Sequence, residues 1–252
     1  MDVAFGQTMD EEEKMAAARE AMTNMLKGYF ETFYMASRFR KKIDDIVTIE
    51  GREHLDKALA HGKGAIALSA HFGNFTILGA VMARETYPFY TVIREPKSKQ
   101  VAKIFATIRD LMNLKWIPAQ PRGTCLKKML NCLRHNQIVC LITDEHKRRG
   151  GVNVDFFGHN SPTAAGPAVL SLRTGAAIVP VFIIRQKDDT HKVIVEPALT
   201  FNPTGNQEED IHRITSMFTE RIEFYIKSYP TQWFWLNRRW KGLSKGDKHH
   251  RG

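Results

Sequence analysis

His71 occupies a position in the sequence where a side chain can act on a bound substrate. It follows the short apolar run GAIALSA (64–70), which is typical of a buried strand, and precedes residues 74–84, whose periodicity predicts a helix. Sites in α/β sheets gather beyond the carboxyl ends of strands, and a helix N-terminus favours developing negative charge. The position therefore predicts either a general base or a histidine that only caps the helix or lies on the surface.

A second cluster of ionisable side chains, TDEHKRRGG (143–151), follows the apolar run IVCLI (138–142). A carboxylate here can orient and charge-stabilise the histidine, and we favour Glu145 slightly over Asp144 because its side chain is longer. Arg148 and Arg149 can bind phosphate. The alternative is a solvated turn, in which Asp144 caps the chain and Glu145 faces water.

Other chemistries leave weaker traces in the sequence. It contains no G-x-S-x-G nucleophile motif, no P-loop and no G-x-G-x-x-G. Cys125, Cys132 and Cys140 do not have a zinc spacing and cannot form a complete disulfide framework, so we expect them to be reduced and mostly buried. We expect no bound metal or cofactor and, because the aromatic residues form no recognisable RNA-binding motif, no nucleic acid.

Strand and helix patterns alternate along the chain. This alternation predicts a single α/β domain over residues 1–252, with a mixed, mostly parallel sheet flanked by helices. The predicted strands are 64–70, 90–93, 115–118, 138–142, 178–184 and 193–195, and the predicted helices are 9–39, 74–84, 98–113, 124–135, 163–174 and 208–227.

Two segments at the ends of the chain are rich in large apolar residues. The stripe in the N-terminal amphipathic helix (1–40) predicts either packing on the core or insertion into a lipid surface. The aromatic-basic block 229–242, with Trp, Phe and Trp at 233–235, predicts either a buried closing segment or an interfacial patch. No apolar run is long enough to span a bilayer, no signal peptide is evident, and the net charge is +10. We therefore expect a cytoplasmic protein peripheral to an anionic membrane surface.

The sequence resembles the lipid A biosynthesis acyltransferases, within the wider superfamily of His-x4-Asp/Glu glycerolipid acyltransferases. Four blocks carry the resemblance: GKGAIALSAHFGNF (62–75), YTVIREP (90–96), ITDEHKRRGGVNVDFFGHNSPTAAGPAVLSLRTGAAIVPVFIIR (142–185) and YPTQWFWLNRRWK (229–241). A branch that acylates mannosides is also similar. One departure stands out, because the family has Asp or Glu five positions after the histidine and this chain has Thr76. Asp144 and Glu145 are then the candidates to supply the missing negative charge.

The resemblance implies transfer of a fatty acyl group to a hydroxyl of a glycolipid such as a lipid A precursor. His71 would be the base, and the donor would be a thioester of acyl carrier protein or coenzyme A. Asn74 would position the histidine or the thioester carbonyl, and Arg94, Arg148 and Arg149 would hold phosphates. The implied location is the cytoplasmic face of the bacterial inner membrane. The alternatives are an acyltransferase or thioesterase for another amphiphile, and a non-catalytic lipid-binding relic.

Overall fold

The computed structural model describes residues 1–6, 8–37, 45–147, 150–237 and 239–241. The strands are β1 (Val47–Glu50), β2 (Ala65–Ser69), β3 (Phe89–Ile93), β4 (Trp116–Pro118), β5 (Ile138–Ile142), β6 (Val152–Phe156), β7 (His159–Thr163), β8 (Ala177–Arg185) and β9 (His191–Val195). The helices are α1 (Asp2–Phe5), α2 (Glu11–Met35), α3 (Arg52–Ala60), α4 (Phe75–Arg84), α5 (Lys99–Leu111), α6 (Arg122–Arg134), α7 (Gly166–Thr174), α8 (Gln207–Ser228) and a 3₁₀ turn (Pro230–Gln232).

The main sheet has the strand order β1-β9-β8-β2-β5-β3-β4. Its neighbouring strands are parallel except for the antiparallel pair β8 and β9. β6 and β7 form a separate antiparallel hairpin. The α/β fold with a mixed, mostly parallel sheet that the sequence predicts is therefore confirmed.

The core lies on both faces of this sheet. Every residue of β2 is buried, and alternate side chains enter opposite layers: Ile66 and Leu68 pack with α6, α7 and α8, while Ala65 and Ala67 pack with α3, α4 and α5. A strand covered on both faces is apolar throughout, which explains the continuous apolar run from which β2 was predicted.

Helix α2 leaves most of its large apolar residues exposed and buries several of its small ones. Asp10 and Glu13 form a capping box at its start. Ala21 and Gly28 are buried, whereas the exposed side chains include large apolar ones, namely Met15, Met22, Leu26, Phe30, Phe33 and Tyr34. In the stripe that the sequence predicts, Met25 and Tyr29 are half-buried, but Met22, Leu26, Phe30, Phe33 and Tyr34 are exposed, so most of the stripe does not pack on the core. Among the described residues, no helix combines the length and the apolar character that a bilayer span requires.

The structure adds elements that the sequence patterns did not predict. These are β1, α3, the β6–β7 hairpin, the 3₁₀ turn and α1, which is separate from α2, so the N-terminal segment 1–40 is not one continuous helix. The hairpin also delays the start of the predicted helix 163–174 to Gly166, because Thr163 still belongs to β7. The three cysteines are free and buried, as expected.

Candidate active site

The parallel register of two central strands brings His71 and Asp144 together. Ser69 at the end of β2 pairs with Ile142 at the end of β5, and the Thr143 N–H donates to the Ser69 carbonyl 3.3 Å away. His71 and Asp144 each come two residues after these strand ends, so they lie side by side at the carboxyl edge of the sheet. His71 Nδ1 is 2.9 Å from Asp144 Oδ1.

The second oxygen of Asp144 accepts hydrogen bonds from two further donors. Its Oδ2 accepts from the backbone N–H of His71 at 3.1 Å and from Nε1 of Trp233 at 2.7 Å, and Asn237 Nδ2 lies 3.5 Å away. The preference for Glu145 is corrected, because Glu145 is exposed and Asp144 makes the contact with the imidazole. In an extended segment adjacent side chains point to opposite sides, so only one of the two can face the histidine.

The pair is electrostatically coupled. Burial alone lowers the pKa of His71, but the charge and hydrogen bond of Asp144 act in the opposite direction and prevail, with a smaller contribution from Glu145, so this pKa lies above its ordinary value. Burial raises the pKa of the Asp144 carboxyl, but the charge of His71 and the hydrogen bonds from His71 and Trp233 outweigh it, so this pKa is lowered. Asp144 is thus held as a buried carboxylate.

The C-terminal segment 230–237, which we call the strap, clamps the loop that carries His71. The Phe234 N–H donates to the His71 carbonyl at 2.9 Å, and the Gly73 N–H donates to the Gln232 carbonyl at 2.8 Å. Gly73 has a φ of +53°, and a Cβ at this position would lie 2.0 Å from the Ile183 carbonyl oxygen. Only glycine fits there without a shift of the backbone.

The strap supplies two residues that sequence reasoning did not identify individually. Trp233 is buried, as the closing-segment interpretation of the block predicts, and its indole N–H contacts Asp144. Asn237 places its amide nitrogen 3.2 Å from His71 Nδ1. Trp233 stood in a conspicuous aromatic run, but no pattern in the sequence indicated its hydrogen bond, and nothing singled out Asn237.

His71 also lines an open pocket. Nε2 makes no hydrogen bond with any residue that the structure describes, and the side chain remains 22% exposed. The pocket lies between α2, the His71 loop and the strap, and its lining residues are Ala21, Asn24, Met25, Gly28, Tyr29, His71, Gly73, Asn74, Phe75, Thr76, Gln232, Trp233 and Phe234. A substrate in this pocket can reach Nε2.

Asn74 lines the same pocket, but its amide is directed to α2. Its Nδ2 donates to Glu31 Oε2 at 2.8 Å and to the Gly28 carbonyl at 3.3 Å, and its Oδ1 accepts from Thr76 at 2.5 Å. Both amide hydrogens are therefore engaged with α2 and Asn74 makes no hydrogen bond with His71, while its expected role towards a thioester carbonyl stays a prediction. The structure instead indicates that Asn74 joins α2 to the His71 loop.

Glu31 is the hub of this polar cluster on the inner side of α2. It forms a two-pronged ion pair with Arg185, at 2.5 and 2.8 Å, and its Oε2 lies 3.0 Å from His191 Nε2. Burial by itself raises the pKa of Glu31, but the hydrogen bonds and charges of His191 and Arg185 lower it to about 2.

Thr76 occupies the position at which the resembling family has an acid. Its hydroxyl lies 2.5 Å from that of Thr32 and donates to Asn74, so it faces α2. The negative charge beside His71 comes from Asp144 on the neighbouring strand.

The predicted phosphate-binding arginines are only partly described. Arg94 is exposed just beyond β3, at the carboxyl edge of the sheet that also carries His71, and it forms no ion pair with a described residue. Arg148 and Arg149 lie outside the described residues. Among the residues that the structure describes, no group of three or more His, Cys, Asp or Glu side chains is arranged to hold a metal ion.

Comparison with known proteins gives consistent relatives. A sequence model of a family described as bacterial lipid A biosynthesis acyltransferase matches residues 1–242. The chain is 27% identical over 226 residues to a phosphatidylinositol mannoside acyltransferase of Mycolicibacterium smegmatis, covering 88% of this chain and 71% of that protein. It is 31% identical over 196 residues to the enzyme of the same name from Mycobacterium tuberculosis, covering 76% and 59%.

A third relative represents the lipid A branch. The chain is 26% identical over 255 residues to the lipid A biosynthesis palmitoleoyltransferase of Escherichia coli, covering 98% of this chain and 78% of that protein. Across these three relatives the chain spans between 59% and 78% of their own lengths.

Proposed function

Because the chain belongs to the bacterial lipid A biosynthesis acyltransferase family, we propose that it transfers a fatty acyl group from an acyl thioester to a hydroxyl of a membrane glycolipid. The observation that carries this proposal is the buried Asp144 carboxylate bound to Nδ1 of His71, a residue that lines an open pocket and whose Nε2 makes no hydrogen bond with a described residue. A base oriented in this way by a carboxylate is the arrangement that acyl transfer to a hydroxyl requires.

The reaction needs one proton acceptor and no acyl-enzyme. His71 Nε2 takes the proton of the acceptor hydroxyl while the hydroxyl oxygen attacks the thioester carbonyl carbon. The new C–O bond forms, the C–S bond breaks, and the imidazolium returns its proton to the departing thiolate. Asp144 stabilises the imidazolium in between and keeps a hydrogen on Nδ1, so that Nε2 is the basic atom.

The start of α4 supports the negative charge that develops on the carbonyl oxygen. Asn74, the residue before this helix, makes no capping hydrogen bond with its side chain. The N–H groups of Phe75 and Thr76 have no hydrogen-bond acceptor in the described part of the chain, and both residues line the pocket with His71. Uncapped N–H groups and the positive end of a helix stabilise an oxyanion.

The acceptor class follows from the relatives. Some are named for phosphatidylinositol mannoside and others for lipid A. Both names denote acceptors that combine a sugar with a lipid, so we assign a glycolipid acceptor to this chain.

The exposed stripe of α2 supports action at a lipid surface. Phe30 is 73% exposed and Phe33 49% exposed, while Met25 and Tyr29 on the adjoining face of the helix line the pocket. An apolar helix face of this kind lies in the boundary between head groups and acyl chains. The site would then open beside the layer that holds its acceptor, at the cytoplasmic face of the inner membrane.

The test is incubation of the protein with acyl carrier protein or coenzyme A thioesters and a bacterial lipid extract, followed by mass analysis of the lipids. We expect a glycolipid heavier by one acyl group, and a rate about two to four orders of magnitude lower for His71→Ala. Free fatty acid without an acylated lipid would indicate thioester hydrolysis instead. Equal rates for the two proteins would remove His71 from the mechanism.

A further inference from the structure

Helix α6 presents a surface with positive charge and no acidic residue. Residues 111–143 contain no Asp or Glu. The same stretch contains five basic residues, all exposed: Lys115, Arg122, Lys127, Lys128 and Arg134. None of them forms an ion pair with a residue that the structure describes, in contrast to Arg52, which pairs with Glu85, and Arg221, which pairs with Glu196.

The elements packed against α6 do not compensate this charge. Its main contacts are with β4, β5 and α7, none of which contains an acid, and α7 adds the exposed Arg173. A groove beside the helix is lined by Tyr90 and Trp116 together with Lys127 and Lys128. Aromatic residues are enriched at protein–protein contact surfaces, and here two of them border a cationic helix.

We propose that the α6 surface, defined by Arg122, Lys127 and Lys128 with the adjoining groove, docks an acidic carrier protein that delivers the acyl thioester. This rests on the proposed function, because it names the donor of the same reaction. A carrier protein with acidic helices complements a surface that has cations and no acids, and such complementarity guides association and fixes orientation.

A lipid surface is the poorer occupant. On α6 the exposed large apolar residue is Leu126, at 36%, whereas α2 exposes a whole stripe of them. An interfacial helix needs apolar area as well as charge. α6 also packs on the sheet face that carries α7 and α8, while α2 contacts α4 of the opposite face.

The start of α6 lies at the same edge of the sheet as His71, and the groove runs from there along the helix towards the opposite edge. α6 follows β4 and leads into β5, so its first residue, Arg122, lies at the carboxyl edge of the sheet, where β2 delivers His71. β4 is three strands from β2, about 14 Å at the usual spacing. A flexible thioester arm that crosses this edge passes the end of β3, where the exposed Arg94 can contact the phosphate of the arm.

The experiment compares two donors on two double variants. Lys127→Glu with Lys128→Glu reverses the charge of the α6 surface. Lys57→Glu with Lys63→Glu makes the same change at exposed lysines on α3 and before β2. Steady-state rates are measured for both double variants and for the unchanged protein. The two donors are the thioesters of one fatty acyl group with acyl carrier protein and with coenzyme A.

We expect the α6 variant to raise the KM for the carrier thioester about tenfold or more, with kcat and the KM for the coenzyme A thioester within about threefold. The KM of the unchanged chain for the carrier should also rise with salt. The docking proposal would be overturned if the two double variants had equal effects or if neither had an effect. It would also be overturned if the protein used only the coenzyme A thioester, or if the α6 variant lost only vesicle binding. Transfer from neither donor by the unchanged chain would instead defeat the proposed function itself.

Discussion

Trp233 offers a sharp test of how Asp144 is held. Its Nε1–H donates to Asp144 Oδ2 at 2.7 Å, and the carboxylate side chain is 0% exposed. Trp233→Phe removes this donor from the buried carboxylate. A hydrogen bond to a charged group contributes about 1.5–3 kcal/mol, against about 1 kcal/mol for one to a neutral carbonyl.

Trp235→Phe is the matched control for this change. Its Nε1 donates to the Pro230 carbonyl, also at 2.7 Å, so it loses the same atoms and a bond of the same length, but to a neutral acceptor. The lost volume is equal, but Trp233 is buried and Trp235 is half-buried, so lost packing adds to the hydrogen-bond difference in the same direction. We expect Trp233→Phe to be the less stable variant by about 1–2 kcal/mol, which lowers its Tm by roughly 2–8 °C relative to the control.

The same substitution changes the pH dependence of the reaction. Without the indole donor, the charge of Asp144 is offset less and attracts the imidazolium proton more strongly, so the pKa of His71 rises further. Because the base must be neutral, the acid limb of kcat/KM moves to higher pH in Trp233→Phe and stays in place in Trp235→Phe. Identical pH profiles for the two variants would refute the positioning role of Trp233.

Two further variants, one double and one single, test α2. Phe30→Ser with Phe33→Ser should weaken pelleting with anionic vesicles at least about tenfold, because the two changes remove apolar area that lipid would cover. Leu126→Ser on α6 is the control and should leave pelleting unchanged. Unchanged pelleting of the double variant would contradict insertion of the stripe. Glu31→Gln should cost about 3 kcal/mol at neutral pH, since Arg185 is only 5% exposed and loses its two-pronged partner. The pKa of Glu31 is depressed from 4.5 to about 2 in the folded chain, so this stabilisation is present above pH 4.5 and is lost as the pH falls towards 2; a stability difference that persists at pH 2 would contradict the ion pair.

The sequence predicted the elements that carry the strongest local patterns. β2 and β5 were recognisable because strands covered on both faces are continuously apolar, and the position of His71 at a strand end followed from them. β1 was missed because it is only four residues long, and alternation over so few residues does not stand out in the sequence. The β6–β7 hairpin was missed although Val152–Phe156 alternates apolar and polar residues, because its partner His159–Thr163 is polar without alternation and contains Pro162.

The choice between Asp144 and Glu145 needed the register of two strands more than 70 residues apart. Local sequence places both acids after β5, but only the pairing of Ser69 with Ile142 decides which one meets the imidazole. The contacts of Trp233 and Asn237 depend on the strap folding back over the His71 loop from the end of the chain. Such long-range contacts leave no periodic trace in one sequence.

The central claim is that Asp144 supplies the negative charge that Thr76 does not, and one comparison of rates tests it. Acyl transfer is measured across pH for Asp144→Asn and Glu145→Gln beside the unchanged chain. Asp144→Asn should lower the plateau rate about two to four orders of magnitude. It should also move the acid limb to lower pH, because burial, which lowers the pKa of His71, is then no longer opposed by the carboxylate. Glu145→Gln should stay close to the unchanged chain. A rate for Asp144→Asn within about tenfold of the unchanged chain, or an equal loss in Glu145→Gln, would contradict the account.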